Sequence, residues 1–288
     1  MQESAPSGCG PQAYARSLKG PTPAPPSCCV PMPNPTESPT SAAWTSCEID
    51  GHLLEAFLPP SDPGRPPGAI LHLRDRDDQA PSQLPAWRQA IESSPLPVVS
   101  LAGGTSWWLD RVVGGFDARL SPEAFIRGPL TDGLRERFGL PAAAIATVGQ
   151  GSGGQGALRL SYRHPAAFPV AAAVLPTIDF HRTMESGEPG SETLWELYGD
   201  VEVARQQTAI LYVHPLNWPR HQAFWAHAGD LLSSDGADRL HSKLIALGIF
   251  HEAELAGPVD AAAWLRAAAV AAIRFAAERL ERDSRRIA

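Results

Sequence analysis

One glycine-rich stretch, residues 148–159, has residue types and spacing that could do chemistry. An apolar run, residues 144–148, enters it and a run with helical periodicity leaves it, so the glycines are predicted to form a strand-to-helix turn. Glycine tolerates the backbone dihedral angles of a very tight turn, and the start of the next helix offers unpaired N–H groups to an anion. Ser152 lies among these glycines and could supply a nucleophilic hydroxyl.

Two interpretations of this turn are open. The first is a nucleophile elbow of the G-x-S-x-G type, and the second is a dinucleotide-binding G-x-G-x-x-G turn formed by Gly149, Gly151 and Gly154. A dinucleotide fingerprint usually lies in the first βαβ unit of its domain, whereas about a hundred ordered residues are predicted to precede this turn. The position in the chain therefore favours the elbow.

Composition limits the classes of partner. The chain has 288 residues and a formal net charge of -7, and an acidic protein lacks the basic face that nucleic acids or anionic membranes require. No apolar run approaches the roughly 20 residues of a membrane span, and the polar, proline-rich start lacks the apolar segment of a secretory signal. We therefore expect a cytoplasmic protein without nucleic-acid or membrane partners, and the composition leaves the oligomeric state open.

The N-terminal segment differs in composition from the rest of the chain. Residues 1–43 are rich in Pro, Ser, Thr, Gly and Ala and have almost no large apolar side chains, so this tail is predicted to be disordered. It contains Cys9, Cys28 and Cys29, but no Cys/His set in the chain has the spacing of a zinc site. We predict no metal site and a single folded domain over residues 44–288.

The folded part alternates short apolar runs with helical patterns. Strands are predicted at residues 47–58 (a pair with a turn at Asp50-Gly51), 68–73, 96–101, 144–148, 168–175, 208–214 and 251–255. Helices are predicted at residues 87–91, 122–138, 157–164, 191–207, 238–247 and 261–282. This alternation predicts an α/β domain with a mostly parallel sheet flanked by helices, and a ligand site at the carboxyl ends of the strands.

The glycine-rich turn and its surroundings resemble a known family. Residues 149–160, followed by Tyr-Arg-His-Pro at 162–165, look like the elbow and following helix of the esterase-D-like α/β-hydrolases, the group that includes S-formylglutathione hydrolases. Residues 106–111, 178–181 and 214–221 support the resemblance, which covers residues 44–286. It implies an α/β-hydrolase fold and cleavage of carboxylic esters or thioesters by a Ser-Asp-His triad, without a cofactor.

The register of the glycines bears on the nucleophile. The family pattern is G-x-S-x-G-G-Q-G-A-L, and an ungapped alignment matches four of its glycines: Gly149, Gly153, Gly154 and Gly156. The serine position then falls on Gly151, and Ser152 follows it. Neighbouring residues at a helix start point about 100° apart, so a hydroxyl shifted by one residue is not interchangeable. We predict a vacated nucleophile position at Gly151, with Ser152 as the alternative nucleophile.

The other two triad positions follow from the same resemblance. Asp230 lies about where the family has its acid, and the histidine position falls on Asp260. The chain has no histidine after His251, and His227 could serve Ser152 but is more simply a loop histidine. The exit of the first buried strand, residues 73–78, is charged where relatives often carry His-Gly near the oxyanion hole.

Taken together, these residues predict an α/β-hydrolase with a degraded triad and little or no ester hydrolysis, whose partner could be a small acyl or ester ligand. The alternative is an active carboxylic-ester hydrolase that uses Ser152 and Asp230, and the remote alternative is a dinucleotide-binding protein. Three tryptophans near the predicted strand ends could line a pocket beside the elbow: Trp107, Trp108 and Trp218.

Overall fold

The computed structural model describes residues 41–65, 67–187, 190–255, 257 and 260–287. The predicted disordered tail, with Cys9, Cys28 and Cys29, lies outside these residues except for its last three, and the first strand begins at Ala43. Within the described part of the chain, no helix is long and apolar enough to cross a membrane.

One sheet organises the described residues. Its eight strands are β1 (Ala43–Ile49), β2 (His52–Leu58), β3 (Ala69–Leu73), β4 (Val98–Leu101), β5 (Ile145–Gln150), β6 (Val170–Val174), β7 (His221–Trp225) and β8 (Glu252–Glu254). Their order in the sheet is β1-β2-β4-β3-β5-β6-β7-β8. Strand β2 runs antiparallel to both of its neighbours, β1 and β4. The other neighbouring pairs, from β4-β3 to β7-β8, are parallel. Strands β3 and β6 are buried throughout, which explains their continuous apolar sequences. The predicted mostly parallel sheet is confirmed.

Helices cover both faces of the sheet. They are α1 (Pro85–Glu92), α2 (Pro122–Phe125), α3 (Thr131–Phe138), α4 (Gly151–Arg163), α5 (Phe180–Ser186), α6 (Ser191–Tyr198), α7 (Val201–Arg205), α8 (Leu231–Ala246) and α9 (Ala261–Ile287). Trp87 of α1 and Ile273 of α9 pack in one core with Ile70 of β3. On the opposite face, Leu160 of α4 packs with Leu71 of β3. Side chains of a strand alternate between faces, so neighbouring residues of β3 enter different cores.

The predicted strand at residues 208–214 is wrong. Residues Ala209–Tyr212 form a 3₁₀ turn, and the strand is His221–Trp225. The Arg159 guanidinium lies 4.3 Å from the centre of the Tyr212 ring, so this segment packs on α4 instead of entering the sheet.

The true strand, β7, carries a buried glutamine, Gln222, which accepts a hydrogen bond from the Tyr162 hydroxyl at 2.7 Å and donates one to the Phe250 carbonyl at 3.3 Å. These distant partners make a polar residue acceptable in a buried strand.

Three predicted helices also differ from the helices of the structure. The helix predicted at residues 191–207 is two helices, because Gly199 ends α6 with a φ of 63° and Asp200 caps α7 by accepting hydrogen bonds from Glu202 N and Val203 N. Helix α8 begins at Leu231 rather than at residue 238, because Asp230 caps it at that point. The predicted helix at residues 122–138 is interrupted by a π-helical turn, Ile126–Leu130, that contains Pro129.

Candidate functional site

The glycine-rich turn has the geometry of an elbow with Gly151 at its apex. Strand β5 ends at Gln150 and α4 begins at Gly151, whose φ is 55°, a left-handed value that favours glycine. Within residues 149–156 no other residue has a positive φ. A β-carbon on Gly153 would overlap the Leu73 carbonyl, so the turn lies directly against the end of β3. A sharp, strained strand-to-helix turn is where an α/β-hydrolase holds its nucleophile.

The carboxylate of Asp75 occupies the space in front of this apex. A β-carbon on Gly151 would overlap both carboxylate oxygens of Asp75. Oδ1 of Asp75 accepts hydrogen bonds from the backbone N–H of Ser152 at 3.0 Å, from the Ser152 hydroxyl at 3.0 Å and from the backbone N–H of Arg76 at 2.8 Å. In α/β-hydrolases the oxyanion hole consists of the N–H of the residue after the nucleophile and an N–H from the loop after the third strand. Asp75 Oδ1 therefore accepts from one N–H at the start of α4, that of Ser152, and from one N–H in the loop after β3, that of Arg76.

The loop that carries Asp75 is held in place by neighbouring segments. Its turn is closed by the Asp78 N–H, which donates to the Asp75 carbonyl at 2.9 Å. Asp78 Oδ1 accepts from the Gly103 N–H at 2.9 Å, and Trp108 Nε1 donates to the Arg74 carbonyl at 3.2 Å. The position of the Asp75 carboxylate therefore follows from contacts on both sides of the loop.

Both predicted partner carboxylates act as helix caps. Asp230 Oδ1 accepts from the backbone N–H groups of Leu232 at 3.2 Å and Ser233 at 3.4 Å. Asp260 Oδ1 accepts from the first turn of α9, and these backbone hydrogen bonds hold the pKa of Asp260 below its usual value. Among the described residues, no hydrogen bond joins either carboxylate to the elbow. Residues 256, 258 and 259, beside the predicted histidine position, lie outside the described part.

His227 makes hydrogen-bond and packing contacts with nearby residues. Its Nδ1 accepts the Gly229 N–H at 2.9 Å, and its ring packs edge-on against Trp264 with the ring centres 5.3 Å apart. A β-carbon on Gly257 would overlap the His227 ring, so the segment before α9 also lies against this side chain. The Ser152 hydroxyl, in contrast, donates to Asp75.

Comparison with known proteins identifies the fold. No family model matches the chain, and no curated protein matches it in sequence. Among solved structures it is similar to an S-formylglutathione hydrolase from Agrobacterium tumefaciens, with a TM-score of 0.63, 14% identity, and coverage of 85% of this chain and 98% of that one. It is also similar to a fluorophosphonate-binding serine hydrolase of Staphylococcus aureus, with a TM-score of 0.61, 15% identity, and coverage of 82% and 99%.

A third similar structure is esterase B from Lactobacillus rhamnosis, with a TM-score of 0.62, 13% identity, and coverage of 87% of this chain and 89% of that one. The chain has an α/β-hydrolase fold. This confirms the fold class predicted from the sequence, and the esterase-type resemblance holds at the level of the fold. In an α/β-hydrolase the nucleophile lies at a strand-to-helix elbow. The elbow after β5 of this chain has Gly151 as the first residue of its helix.

The two tryptophans after β4, Trp107 and Trp108, contact α4, the helix that begins at the elbow. Trp107 is fully buried, its Nε1 donates to the Gly190 carbonyl at 3.0 Å, and its own carbonyl accepts from Gln155 of α4 at 3.1 Å. A β-carbon on Gly156 would overlap Trp108, so α4 approaches this side chain closely. Both tryptophans have positive φ values, 55° and 57°, which are strained for bulky residues and which the sequence did not indicate. Trp218 is 39% exposed.

A buried histidine, His72, lies close to the Asp75 loop. It is 2% exposed, and its Nδ1 lies 3.1 Å from the Ser100 hydroxyl oxygen. Burial, together with the nearby Arg74 guanidinium, lowers the pKa of His72 to about 3. Its ring packs against Trp87 with the ring centres 4.5 Å apart. The sequence did not single out His72 as a site residue, because residues 68–73 were treated as one apolar run. A histidine inside such a run was the signal that could have identified it.

Within the described residues, no group of three or more His, Cys, Asp or Glu side chains is arranged to hold a metal ion. The N-terminus of α4 could attract an anion such as a dinucleotide pyrophosphate, but the Asp75 carboxylate already accepts its Ser152 N–H.

Proposed function

We propose that this protein is a non-hydrolytic α/β-hydrolase, a binding protein built on the fold of carboxylic-ester hydrolases. The observation that carries the proposal is the hydrogen bond from the Ser152 N–H to Asp75 Oδ1 at 3.0 Å. Ester hydrolysis requires the substrate carbonyl oxygen to enter the oxyanion hole and to become negatively charged there. If Gly151 stands at the nucleophile position, the N–H groups of Ser152 and Arg76 correspond to those of the oxyanion hole. The Asp75 carboxylate, which accepts from both, then excludes the oxygen and repels the charge.

The nucleophile and the base support the same conclusion. Gly151 has no side chain to attack a carbonyl carbon, and it stands at the apex where the family has serine. Asp260 stands at the predicted histidine position, and a carboxylate does not serve as a neutral-pH base as imidazole does. Without nucleophile and base, only weak catalysis from positioning and N–H donors would remain.

The alternative function, an active esterase using Ser152 and Asp230, has weaker support. The Ser152 residue is 1% exposed, and its hydroxyl donates to Asp75 instead of to an imidazole. Asp230 accepts hydrogen bonds from the start of α8, which accounts for its position without a catalytic role. Binding of a dinucleotide is supported still less, because Asp75 occupies the anion position at the start of α4.

The test is an activity measurement on the full chain. Purified protein is incubated with an activated aryl ester and with a fluorophosphonate probe, next to Ser152→Ala and to an active S-formylglutathione hydrolase as the positive control. We expect neither turnover nor labelling above the Ser152→Ala background. Turnover or labelling that disappears in Ser152→Ala would overturn the proposal and establish the esterase alternative.

A gain-of-function variant complements this test. The triple variant Gly151→Ser/Asp75→Gly/Asp260→His restores the nucleophile, opens the oxyanion hole and supplies an imidazole at the predicted histidine position. We expect this variant to react with the fluorophosphonate probe at residue 151, and the single variant Asp260→His to remain unlabelled.

A further inference from the structure

Two histidines away from the elbow lie in direct contact with each other. His241 lies on α8, and His251 is the residue before β8. Nδ1 of His241 lies 2.8 Å from Nε2 of His251, and the ring centres are 5.0 Å apart. Both histidines are half-buried, and their chain neighbours Ser242 and Phe250 are exposed, so the pair lies at the protein surface. The proposed function does not use this pair.

A backbone contact of His251 fixes the tautomers of both rings. Nδ1 of His251 lies 2.9 Å from the Ile249 carbonyl oxygen, which can only accept a hydrogen bond. In the neutral ring Nδ1 therefore carries the proton, and Nε2 has the lone pair. Because that lone pair faces Nδ1 of His241, the neutral His241 ring donates from Nδ1 and has its own lone pair on Nε2.

The fold holds both rings in these orientations. The His251 ring is stacked on the Phe224 ring of β7, with an angle of 4° between the planes and 5.7 Å between the centres. His241 is positioned by the backbone of α8, whose inward face is buried. A histidine that binds a metal ion usually donates its other ring N–H to a carboxylate or a backbone carbonyl, and His251 makes this contact with Ile249. His251 is thus already in the tautomer of a metal ligand.

The spacing of the two facing nitrogens is close to that of two ligands of one metal ion. In a tetrahedral zinc site, with Zn–N bonds of about 2.0–2.1 Å, two ligand nitrogens are about 3.3 Å apart. The present distance of 2.8 Å reaches this value if the nitrogens move apart by about 0.5 Å. A tilt of the rings supplies this movement, because the ring centres, 5.0 Å apart, already have about the separation of two imidazoles on one tetrahedral zinc ion.

The charged side chains around the pair favour a cation. Asp238 is exposed and lies three residues before His241, on the same face of α8. Lys243 lies two residues after His241, about 200° around the helix and therefore on its other side. Glu252, next to the other histidine, forms an ion pair with Arg279, so these two charges compensate each other. The charge on the His241 face of α8 is therefore the negative one of Asp238.

We propose that His241 and His251 form a binding site for a divalent transition-metal ion of the zinc class, with the two imidazoles as protein ligands and water in the other positions. The metal ion takes the place of the proton between the rings and accepts one lone pair from each facing nitrogen. The displaced proton of His241 moves from Nδ1 to Nε2 of the same ring, so no proton is released. Imidazole suits zinc, nickel and copper, whereas magnesium and calcium prefer oxygen ligands.

Histidine NMR tests this change of tautomer. The full chain is labelled with ¹⁵N-histidine and titrated with ZnCl₂ at pH 7.5, above the ordinary pKa of imidazole, and the ring nitrogens are followed by long-range ¹H–¹⁵N correlation. In the free protein we expect both rings to be protonated on Nδ1. Saturating zinc should convert His241 to the Nε2-protonated tautomer and leave His251 protonated on Nδ1. The same concentration of MgCl₂ should cause neither change.

Two variants separate metal binding from a purely structural hydrogen bond. His241→Asn keeps an N–H donor near the position of Nδ1 but has no imidazole. We expect it to retain the fold and the His251 tautomer and to weaken zinc binding at His251 by about tenfold or more. Ser242→Ala, at the exposed neighbouring position of α8, is the control and should bind zinc as the wild-type protein does. If His241→Asn does not fold, the tautomer of His241 in the unmodified chain still decides the question.

Three results would overturn the inference. The first is the absence of a saturable effect of zinc on either ring, which would leave a structural hydrogen bond only. The second is zinc binding in which His241 keeps its Nδ1 proton, which would mean capture by Nε2 of His241 alone. The third is zinc binding at His251 that survives His241→Asn. Zinc held only by the cysteines of residues 1–40 leaves both rings unchanged and counts as the first result.

Discussion

Oδ1 of Asp75 lies 3.0 Å from the backbone nitrogen of Ser152 and 3.0 Å from its hydroxyl oxygen. The carboxylate therefore stands at the N-terminus of α4, where a negative charge is favoured by the helix dipole and by the unpaired N–H groups. The same contact stabilises the start of α4, and under the proposed function it also blocks the oxyanion hole. The role proposed for Asp75 can therefore be tested by stability measurements as well as by activity assays.

Replacement of Asp75 should cost stability. Asp75→Ala leaves the Ser152 N–H without its acceptor, and we expect the free energy of unfolding in urea to fall by about 1–3 kcal/mol. Asp75→Asn keeps an acceptor oxygen and should lose less. The control variant Asp77→Ala replaces an exposed residue of the same loop, and its free energy of unfolding should stay within about 0.5 kcal/mol of the wild-type value. Equal stability of Asp75→Ala and Asp77→Ala would show that the contact contributes nothing.

A side chain at the apex should conflict with Asp75. Gly151→Ala introduces a β-carbon at a φ of 55° that overlaps the Asp75 carboxylate, so it should destabilise the protein. Gly151→Ala/Asp75→Gly should regain part of that loss, with a coupling free energy of about 0.5–3 kcal/mol from a double-mutant cycle in urea unfolding. Gly128→Ala is the control, because a β-carbon there meets nothing within 4 Å. Additive losses would contradict the overlap.

The sequence located the elbow but not Asp75, the residue that packs against its apex. The glycine register placed Gly151 at the apex because glycine requirements are local to the turn. Asp75 could not be placed, because its loop is positioned by Gly103 and Trp108, which lie 25 residues from Asp78 and 34 residues from Arg74. The sequence offered one signal, a charged loop after the first buried strand, without indicating which charged side chain contacts the start of α4.

The same contrast applies to the sheet. Strands β3 and β6 were predicted because burial on both faces makes their sequences continuously apolar. Strand β7 was missed because Gln222 interrupts that pattern, and its partners Tyr162 and Phe250 lie 60 and 28 residues away. Long-range hydrogen bonds that satisfy a buried polar residue are not visible in local periodicity.

Asp230 should behave as a helix cap. Asp230→Ala removes the acceptor for Leu232 N and Ser233 N and should lower the free energy of unfolding by about 1 kcal/mol, whereas Asp230→Asn, also a good cap, should stay within a few tenths. The measurement is urea unfolding of both variants. A large loss in Asp230→Asn as well would mean that the charge of the side chain, and not its capping oxygen, matters at this position.

Stability should fall in mild acid because of His72. Its pKa is about 3 in the folded protein, against an ordinary value of 6.5, so the unfolded chain binds a proton in the window between these values and the folded chain does not. The free energy of unfolding is therefore highest above pH 6.5 and decreases as the pH falls towards 3, by at most about 1.4 kcal/mol per pH unit. Between pH 7 and pH 5 we expect a loss of about 2 kcal/mol from this residue.

His72→Phe isolates that contribution. Phenylalanine keeps an aromatic ring against Trp87 but has no proton to gain, so the variant should show a flatter pH dependence between pH 7 and pH 5 in parallel urea titrations. If His72→Phe has the same slope as the wild-type protein, then burial does not keep His72 neutral in the folded protein.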